Sequence, residues 1–374
     1  MKRVSPTYVE VDLEALRHNY RQLRGRLPGP VKALAVVKSN AYGHGGQRVA
    51  KTLQDEGADA FGVGTIDEGL QLREAGIKKP IFVLMGLIEG QEEAVVRYGL
   101  TPVVYDLEAA RILNDYMARS GKRLPVHLKV DTGMTRLGFQ LGHFPTACAE
   151  LKKLPFIDPA GLLTHLAEAG NGPFTAQQWK GFEKAKGIFD AAFGADGLAK
   201  TYHVANSQAS IDRKTGEGDY MARFGIALYG AYPLERNKKD VTLKPVLQWK
   251  SRVISVKEVP SKTPVSYNRT YVTKKVSRIA VVPVGYADGY SRLLSNRAQM
   301  IVRGKRAKVA GIVCMDLTML DVTHIPGVSA GDEVTVLGRQ GAQEIRAEEM
   351  AAWAKTISYE VFCRISERVP RVYL

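Results

Sequence analysis

From residue 31 to about 230 the chain alternates short, almost unbroken apolar runs with longer segments whose apolar residues recur every three or four positions. The runs are KALAVV, AFGVGT, PIFVLM, TPVVY, PVHLKV, AGLLTH, TYHVA and YMARFGIALY. Their length, β-rich composition and glycine or proline boundaries read as strands. Segments such as EAARILNDYMARSG and WKGFEKAKGIFDAAFGADG read as amphipathic helices that end at glycine. Strand and helix in alternation imply parallel pairing, and eight units over roughly 200 residues fit a closed (β/α)8 barrel of the TIM type.

After about residue 240 the helical spacing disappears. VLQWKSRVISVKEV, RIAVVPVG, AQMIVRG, AKVAGIVCMDLTMLDV and DEVTVLG are strand-like, so a mostly β domain follows the barrel. The expected division is α/β: a barrel over residues 1–240 and a β domain over 241–374. The polar, proline-terminated LERNKKDVTLKP serves as linker. A length of 374 residues agrees with two cores, since single cores stop growing at about 250 to 300 residues.

Composition changes this picture little. Hydrophobic residues make up 45% and charged residues 24%, ordinary for a folded soluble chain. The net charge of +15 raises nucleic-acid binding against a basic enzyme surface. Basic residues are scattered, with short clusters only at ERNKKD and VRGKRAKV, so a solvated surface and no nucleic-acid partner are expected. Cys148, Cys314 and Cys363 are too far apart for a disulfide framework or a zinc site, which suits a reducing compartment and no metal. The opening MKRVSPTYVEVDLEAL lacks an apolar signal core, and no stretch reaches the ~18 apolar residues of a membrane span. A cytoplasmic location without membrane attachment is expected.

In such a barrel the functional residues project from the C-terminal strand ends, where the βα loops form one mouth. Lys38 follows the first strand, Arg136 the fifth, His165 the sixth, Asn206 and Ser207 the seventh, and Arg223, Gly225 and Ile226 surround the eighth. Each has a structural alternative: an ion-pair partner, a satisfied core histidine, a helix N-cap, a surface cation. Their concentration at one mouth favours a site. Ser207 opens the helical SQASI, whose free N–H groups suit an anion, and Gly225 lets backbone approach it closely. A lysine amine near a phosphate cradle suits pyridoxal phosphate, which lysine anchors covalently and which acts as an electron sink.

The blocks VVKSNAYGHG, LKVDTGMTRLGF, THLAEA, ANSQAS, RFGIALYG, VSYNRTY, GYADGYSR, GIVCMD and SYEVFCRI resemble, in this order, those of the alanine racemase family. The resemblance spans nearly the whole chain. It implies an isomerase that interconverts L- and D-alanine, supplies D-alanine for peptidoglycan, and uses pyridoxal 5′-phosphate bound covalently to Lys38. Lys38 and Tyr267 would be the two acid/base groups, Tyr267 acting in the partner's site of a head-to-tail homodimer through a network of His165 and Arg223. Arg223 would face the pyridine nitrogen, with Asn206 also in the cofactor set. Tyr42, Ser207, Tyr359 and the backbone of Gly225 and Ile226 would hold the phosphate. Arg136 would lie near the substrate carboxylate, oriented by a carbamylated Lys129, and Met315 would reach that carboxylate from the partner subunit.

Two positions depart from the family pattern, Gly170 for a frequent Asp and Asn268 for a frequent Gly. A broader-specificity racemase remains the near alternative. A decarboxylase sharing this architecture would need an acidic partner for the pyridine nitrogen, and a non-catalytic cofactor-binding protein would not need the β domain.

Overall fold

The computed structural model describes residues 5–170, 172–194, 199–213, 215 and 220–374. Each of the eight apolar runs contains a strand: Lys32–Val36, Ala60–Val63, Ile81–Val83, Thr101–Val104, Leu124–Asp131, Ile157–Leu163, Thr201–His203 and Met221–Phe224. All pair in parallel, and the eighth returns to the first with Arg223 beside Leu34. Between the seventh and eighth, among the described residues, a Tyr202–Tyr220 bridge, the Arg223 N–H donating to the Ala205 carbonyl at 2.9 Å and the Arg223 side chain donating to the Val204 carbonyl at 3.3 Å cross the seam. The result is a nearly closed barrel wrapped by helices. Asp106 caps the helix Leu107–Ala118 by accepting the Ala109 N–H at 2.8 Å. The helix expected around WKGFEKAKGIFDAAF begins earlier, at Gly172, and runs to Phe193; its expected glycine end lies outside the described residues.

One expected strand is divided. YMARFGIALY is extended only through Phe224; Gly225 then breaks the direction at φ −113°, ψ −109°, and Ile226–Tyr229 coil into a 3-10 turn. An apolar run alone does not distinguish a buried strand from a buried turn.

The second sheet has ten strands, mostly antiparallel, with Leu247–Arg252 and Glu333–Gln340 adjacent in its path. Its edge incorporates the start of the chain. Tyr8–Val11 pairs antiparallel with Leu247–Arg252 and parallel with Arg371–Tyr373. The helix Leu13–Arg24 then leads toward the barrel, capped by Asp12 on the Ala15 N–H at 2.8 Å. On it, fully buried Asn19 donates to the carbonyls of Leu228 and Lys244 and accepts the Lys244 N–H. One amide thus satisfies three backbone groups where the 3-10 turn meets the linker. One large apolar core continues through both sheets, and Val265, Ile279 and Ala310 form a small separate cluster in the β domain. No helix among the described residues is long and apolar enough to cross a membrane.

Candidate functional site

Lys38 leaves the first strand into an unusual piece of backbone. Ser39, Asn40, Ala41 and Tyr42 all have φ of 52–53°, so four consecutive non-glycine residues form a left-handed turn. That conformation costs roughly 1–2 kcal/mol per L-residue. Its own hydrogen bonds offset part of this: Ala41 N–H donates to Val37 and Gly43 N–H to Ser39, at 2.8 and 2.9 Å. The turn ends by sending the Tyr42 ring inward, between Tyr229 at 4.8 Å and Tyr359 at 5.9 Å between centroids. Burial pushes the Tyr42 phenol well above its ordinary pKa, so it remains a hydroxyl donor.

Lys38 and Tyr42 line a cavity of about 500 Å³ at the barrel mouth. Lys129, Arg136, His165, Asn206, Ser207, Arg223, Gly225, Ile226 and Tyr359 line the same cavity, so it holds every expected site residue except Tyr267 and Met315. Among the described residues its wall carries the cations Lys38, Lys129, Arg136 and Arg223 and no carboxylate. Such a surface attracts an anion.

Asn206, not Ser207, caps the short helix Ser207–Ile211, accepting the Ala209 N–H at 3.1 Å. Ser207 is left facing the eighth strand, where its Oγ accepts the Gly225 N–H at 2.8 Å. A Cβ on Gly225 would stand 2.9 Å from the Tyr42 hydroxyl and 3.7 Å from Ser207 Oγ. These three residues therefore form a cradle that requires glycine at its centre. Ile226 opens the 3-10 turn, where backbone N–H groups have no partner within the helix.

Arg223 is buried in the barrel. Its Nη2 donates to the Thr164 carbonyl at 2.8 Å and to His165 Nδ1 at 3.3 Å, while Nη1 has no partner among the described residues. Guanidinium can only donate, so His165 Nδ1 is the acceptor and the ring proton sits on Nε2. Burial first, then Arg223, Arg136, Lys129 and Lys38, lower the His165 pKa to about 3. The ring is neutral at physiological pH. Burial, with Arg223 and Arg136 beside it, brings Lys129 down to about 8. Arg136 rides on the loop after the fifth strand, which Asp131 folds by accepting the N–H groups of Gly133, Met134 and Thr135.

Tyr267 and Met315 are not brought to this cavity within the chain. They project from the β domain with 67% and 54% of their surface exposed. Their loops are joined: the hydroxyl of Ser266 donates to the Ile312 carbonyl at 2.6 Å, and Ala287 N–H donates to the Met315 carbonyl at 3.0 Å. Asn268 has φ 57°, a left-handed position that asparagine tolerates as glycine does.

The sequence reading missed several residues around the site. Leu84, Met85 and Thr164 line the cavity but look like ordinary strand residues. His44, quoted with the first strand's loop, is fully buried, with Nδ1 at 2.9 Å from the Tyr42 carbonyl. Glu68 is legible as half of a T-x-x-E capping box with Thr65, but its reach to Ser39 at 2.5 Å has no sequence signal.

Two family models match the chain, Alanine racemase, N-terminal domain over residues 11–233 and Alanine racemase, C-terminal domain over residues 246–373. The alanine racemase of Geobacter sulfurreducens is 43% identical over 374 residues, covering 99% of this chain and 97% of the relative. Among solved structures, the alanine racemase of Clostridium difficile 630 superposes with a TM-score of 0.92 at 36% identity, covering 100% of this chain and 97% of the other. That of Bartonella henselae, with covalently bound pyridoxal phosphate, gives 0.87 at 26% identity over 98% and 99% of the two chains.

Proposed function

The chain belongs to the alanine racemase family and interconverts L- and D-alanine, and from that premise we propose that it does so with pyridoxal 5′-phosphate in the barrel cavity and with Lys38 and Tyr267 of the partner subunit as its two bases. The observation that carries the cofactor assignment is the cavity wall: four cations, no carboxylate among the described residues, and a glycine-centred cradle between Tyr42 and Ser207. The phosphate fits that cradle, against the backbone of Gly225 and Ile226, with the two hydroxyls and the Ile226 N–H as donors. Tyr359 adds a third hydroxyl, a phenol beside Tyr42. Arg223 Nη1, a buried donor without a partner among the described residues, suits an acceptor such as a ring nitrogen.

When bound, pyridoxal phosphate supplies the electron sink that acidifies the Cα–H bond. The chain's own residues do the rest. Racemisation takes a proton from one face of Cα and returns one to the other, so a single amine fixed on one side is insufficient. Lys38 is the base on its side. The phenol of Tyr267 is the second, and its exposure on the β domain leaves it available to a neighbouring subunit's cavity. Neutral His165, its Nε2–H free of Arg223, offers a hydrogen-bond donor to that phenol when it loses its proton. Arg223 would face the ring nitrogen of pyridoxal phosphate and, since a guanidinium does not readily yield a proton, would leave that nitrogen unprotonated and the sink weak. A weak sink restricts side reactions.

Arg136 and Met315 of the partner subunit would hold the substrate carboxylate. A Lys129 pKa of about 8 leaves a neutral amine fraction able to take up carbon dioxide, and the resulting carbamate would face Arg136 and Arg223 with opposite charge. A cytosolic homodimer supplying D-alanine for peptidoglycan completes the reading. Among the described residues the cavity wall carries no carboxylate, which favours this over the acid-paired decarboxylases.

Incubating the protein with single L-amino acids and separating the products by chiral chromatography tests the assignment. Alanine should give equal D and L forms, and Tyr267→Phe should lower the rate by about 10²–10⁴-fold while leaving cofactor absorbance intact. Parental turnover by Tyr267→Phe would remove the two-base reading.

A further inference from the structure

The left-handed turn after Lys38 needs external support. Ser39, Asn40 and Ala41 hold ψ of 51°, 46° and 52°, and none of them, nor Tyr42, is glycine. A run of L-residues persists there only when surrounding contacts over-determine it. Three side chains reach its backbone. His44 Nδ1 lies 2.9 Å from the Tyr42 carbonyl and 3.1 Å from that of Ala41, and Arg371 donates to the Gly43 carbonyl at 3.0 Å. Both grip the end remote from Lys38. At the Lys38 end, Glu68 Oε1 accepts the Ser39 N–H at 2.5 Å. Its Oε2 accepts the N–H groups of Gly64 and Thr65, at 2.7 and 3.3 Å, where the second strand leaves the barrel. One carboxylate therefore ties the exits of two neighbouring strands and saturates donors on both.

We propose that Glu68 is a positioning residue: by clamping Ser39 against the exit of the second strand it holds the left-handed turn, and so fixes Lys38 and Tyr42 on the wall of one cavity. The proposal rests on the reading of Lys38 as the amine that anchors pyridoxal phosphate. Charge and geometry are both required. A glutamine here offers one acceptor oxygen for N–H groups on two sides and turns its own N–H₂ toward the remainder, so one strand exit is released. The helical cap formed with Thr65 is a separate role, in which Thr65 Oγ1 accepts the Glu68 N–H at 3.4 Å.

The test compares Glu68→Gln, Glu68→Asp and Thr65→Ala with the parent, each prepared free of cofactor. Two quantities are read: the Kd for added pyridoxal phosphate from its absorbance change, and amide hydrogen exchange of residues 39–43 before the cofactor is added. Glu68→Gln should weaken binding about tenfold, equivalent to about 1.4 kcal/mol, and accelerate exchange in 39–43 by about tenfold. Thr65→Ala should lower the melting temperature and change neither. Glu68→Asp, one methylene short with its charge kept, should move both in the same direction by less, and it decides the matter should the glutamine variant not fold. Parental Kd and exchange in Glu68→Gln or Glu68→Asp overturn the proposal, as does a Thr65→Ala variant that matches Glu68→Gln. A parent protein that takes up no pyridoxal phosphate defeats the reading of Lys38 instead, which separates the two failures.

Discussion

Arg223 Nη2 donates to His165 Nδ1 across 3.3 Å inside the barrel, and this one contact sets the proton on the far side of the imidazole. The same guanidinium crosses the barrel seam, donating from its side chain to the carbonyls of Thr164 and Val204, which lie on the two preceding strand exits. Site chemistry and barrel closure therefore share a residue. Burial lowers the Arg223 pKa to about 10, still high enough to keep it charged at neutral pH.

Replacing Arg223 with methionine separates its effects. The Thr164 carbonyl loses its donor inside the barrel, which costs about 1–3 kcal/mol of stability. The His165 pKa should rise from about 3, because Arg223 is the second cause of its depression, yet stay below 6.5 because burial is the first. NMR titration of the His165 ring measures this. An unchanged His165 would mean that the guanidinium exerts no field on it.

Gly225 gives a prediction about shape. In Gly225→Ala the new methyl meets the Tyr42 hydroxyl at 2.9 Å. Tyr42 cannot easily yield, since its ring is packed between Tyr229 and Tyr359. Pyridoxal phosphate affinity should fall at least about tenfold, by roughly 1.4 kcal/mol, with the fold retained. Absorbance titration and circular dichroism distinguish a blocked cradle from a damaged barrel.

Much of this arrangement was legible in the sequence, and the parts that were not have physical reasons. Parallel strands buried on both faces read as unbroken apolar runs, so all eight could be placed, and with them the residues at their C-terminal ends. The left-handed turn was hidden because Ser39, Asn40, Ala41 and Tyr42 include no glycine to signal positive φ. Its supports, Glu68 and Arg371, come from distant segments. The division of YMARFGIALY was hidden because Ile226–Tyr229 are as apolar and as buried as a strand. Tyr8–Val11 carried no sign that its partner strands were the distant Leu247–Arg252 and Arg371–Tyr373.

Acid should destabilise this protein through histidines it buries uncharged. Burial lowers His44 to about 4 and His127 to about 3, and it holds His203 well below the ordinary value. His127 and His203 meet edge to face at 4.8 Å inside the barrel, with Lys32 and, for His203, Arg223 further opposing their protonation. For a histidine whose folded pKa is depressed, the unfolded chain binds the proton first. Stability is then full above about pH 6.5 and is lost as pH falls toward the folded value, by about 1.4 kcal/mol per pH unit per group. Urea unfolding between pH 7.5 and 4.5 should show this slope, and His127→Leu/His203→Leu should flatten it. An unchanged slope in the double variant would assign the acid limb to other groups.

The proposed sharing of active sites between subunits has a quantitative consequence. Lys38→Ala removes the amine from a chain's own cavity, and Tyr267→Phe removes the phenol that the chain would lend to its neighbour. In the proposed dimer, either variant alone would have two defective sites. Mixed and reassembled in equal amounts, half the dimers should be heterodimers, each with one site that has both groups and one that has neither. Activity should therefore recover to about a quarter of the parent's, from two nearly inactive proteins. Tyr267 is 67% exposed and takes no part in the cavity of its own chain, so its replacement should not impede refolding or assembly. Recovery that follows the heterodimer fraction, measured by native mass spectrometry, supports a phenol lent across the interface. No recovery despite demonstrable heterodimers would require both bases to come from one polypeptide.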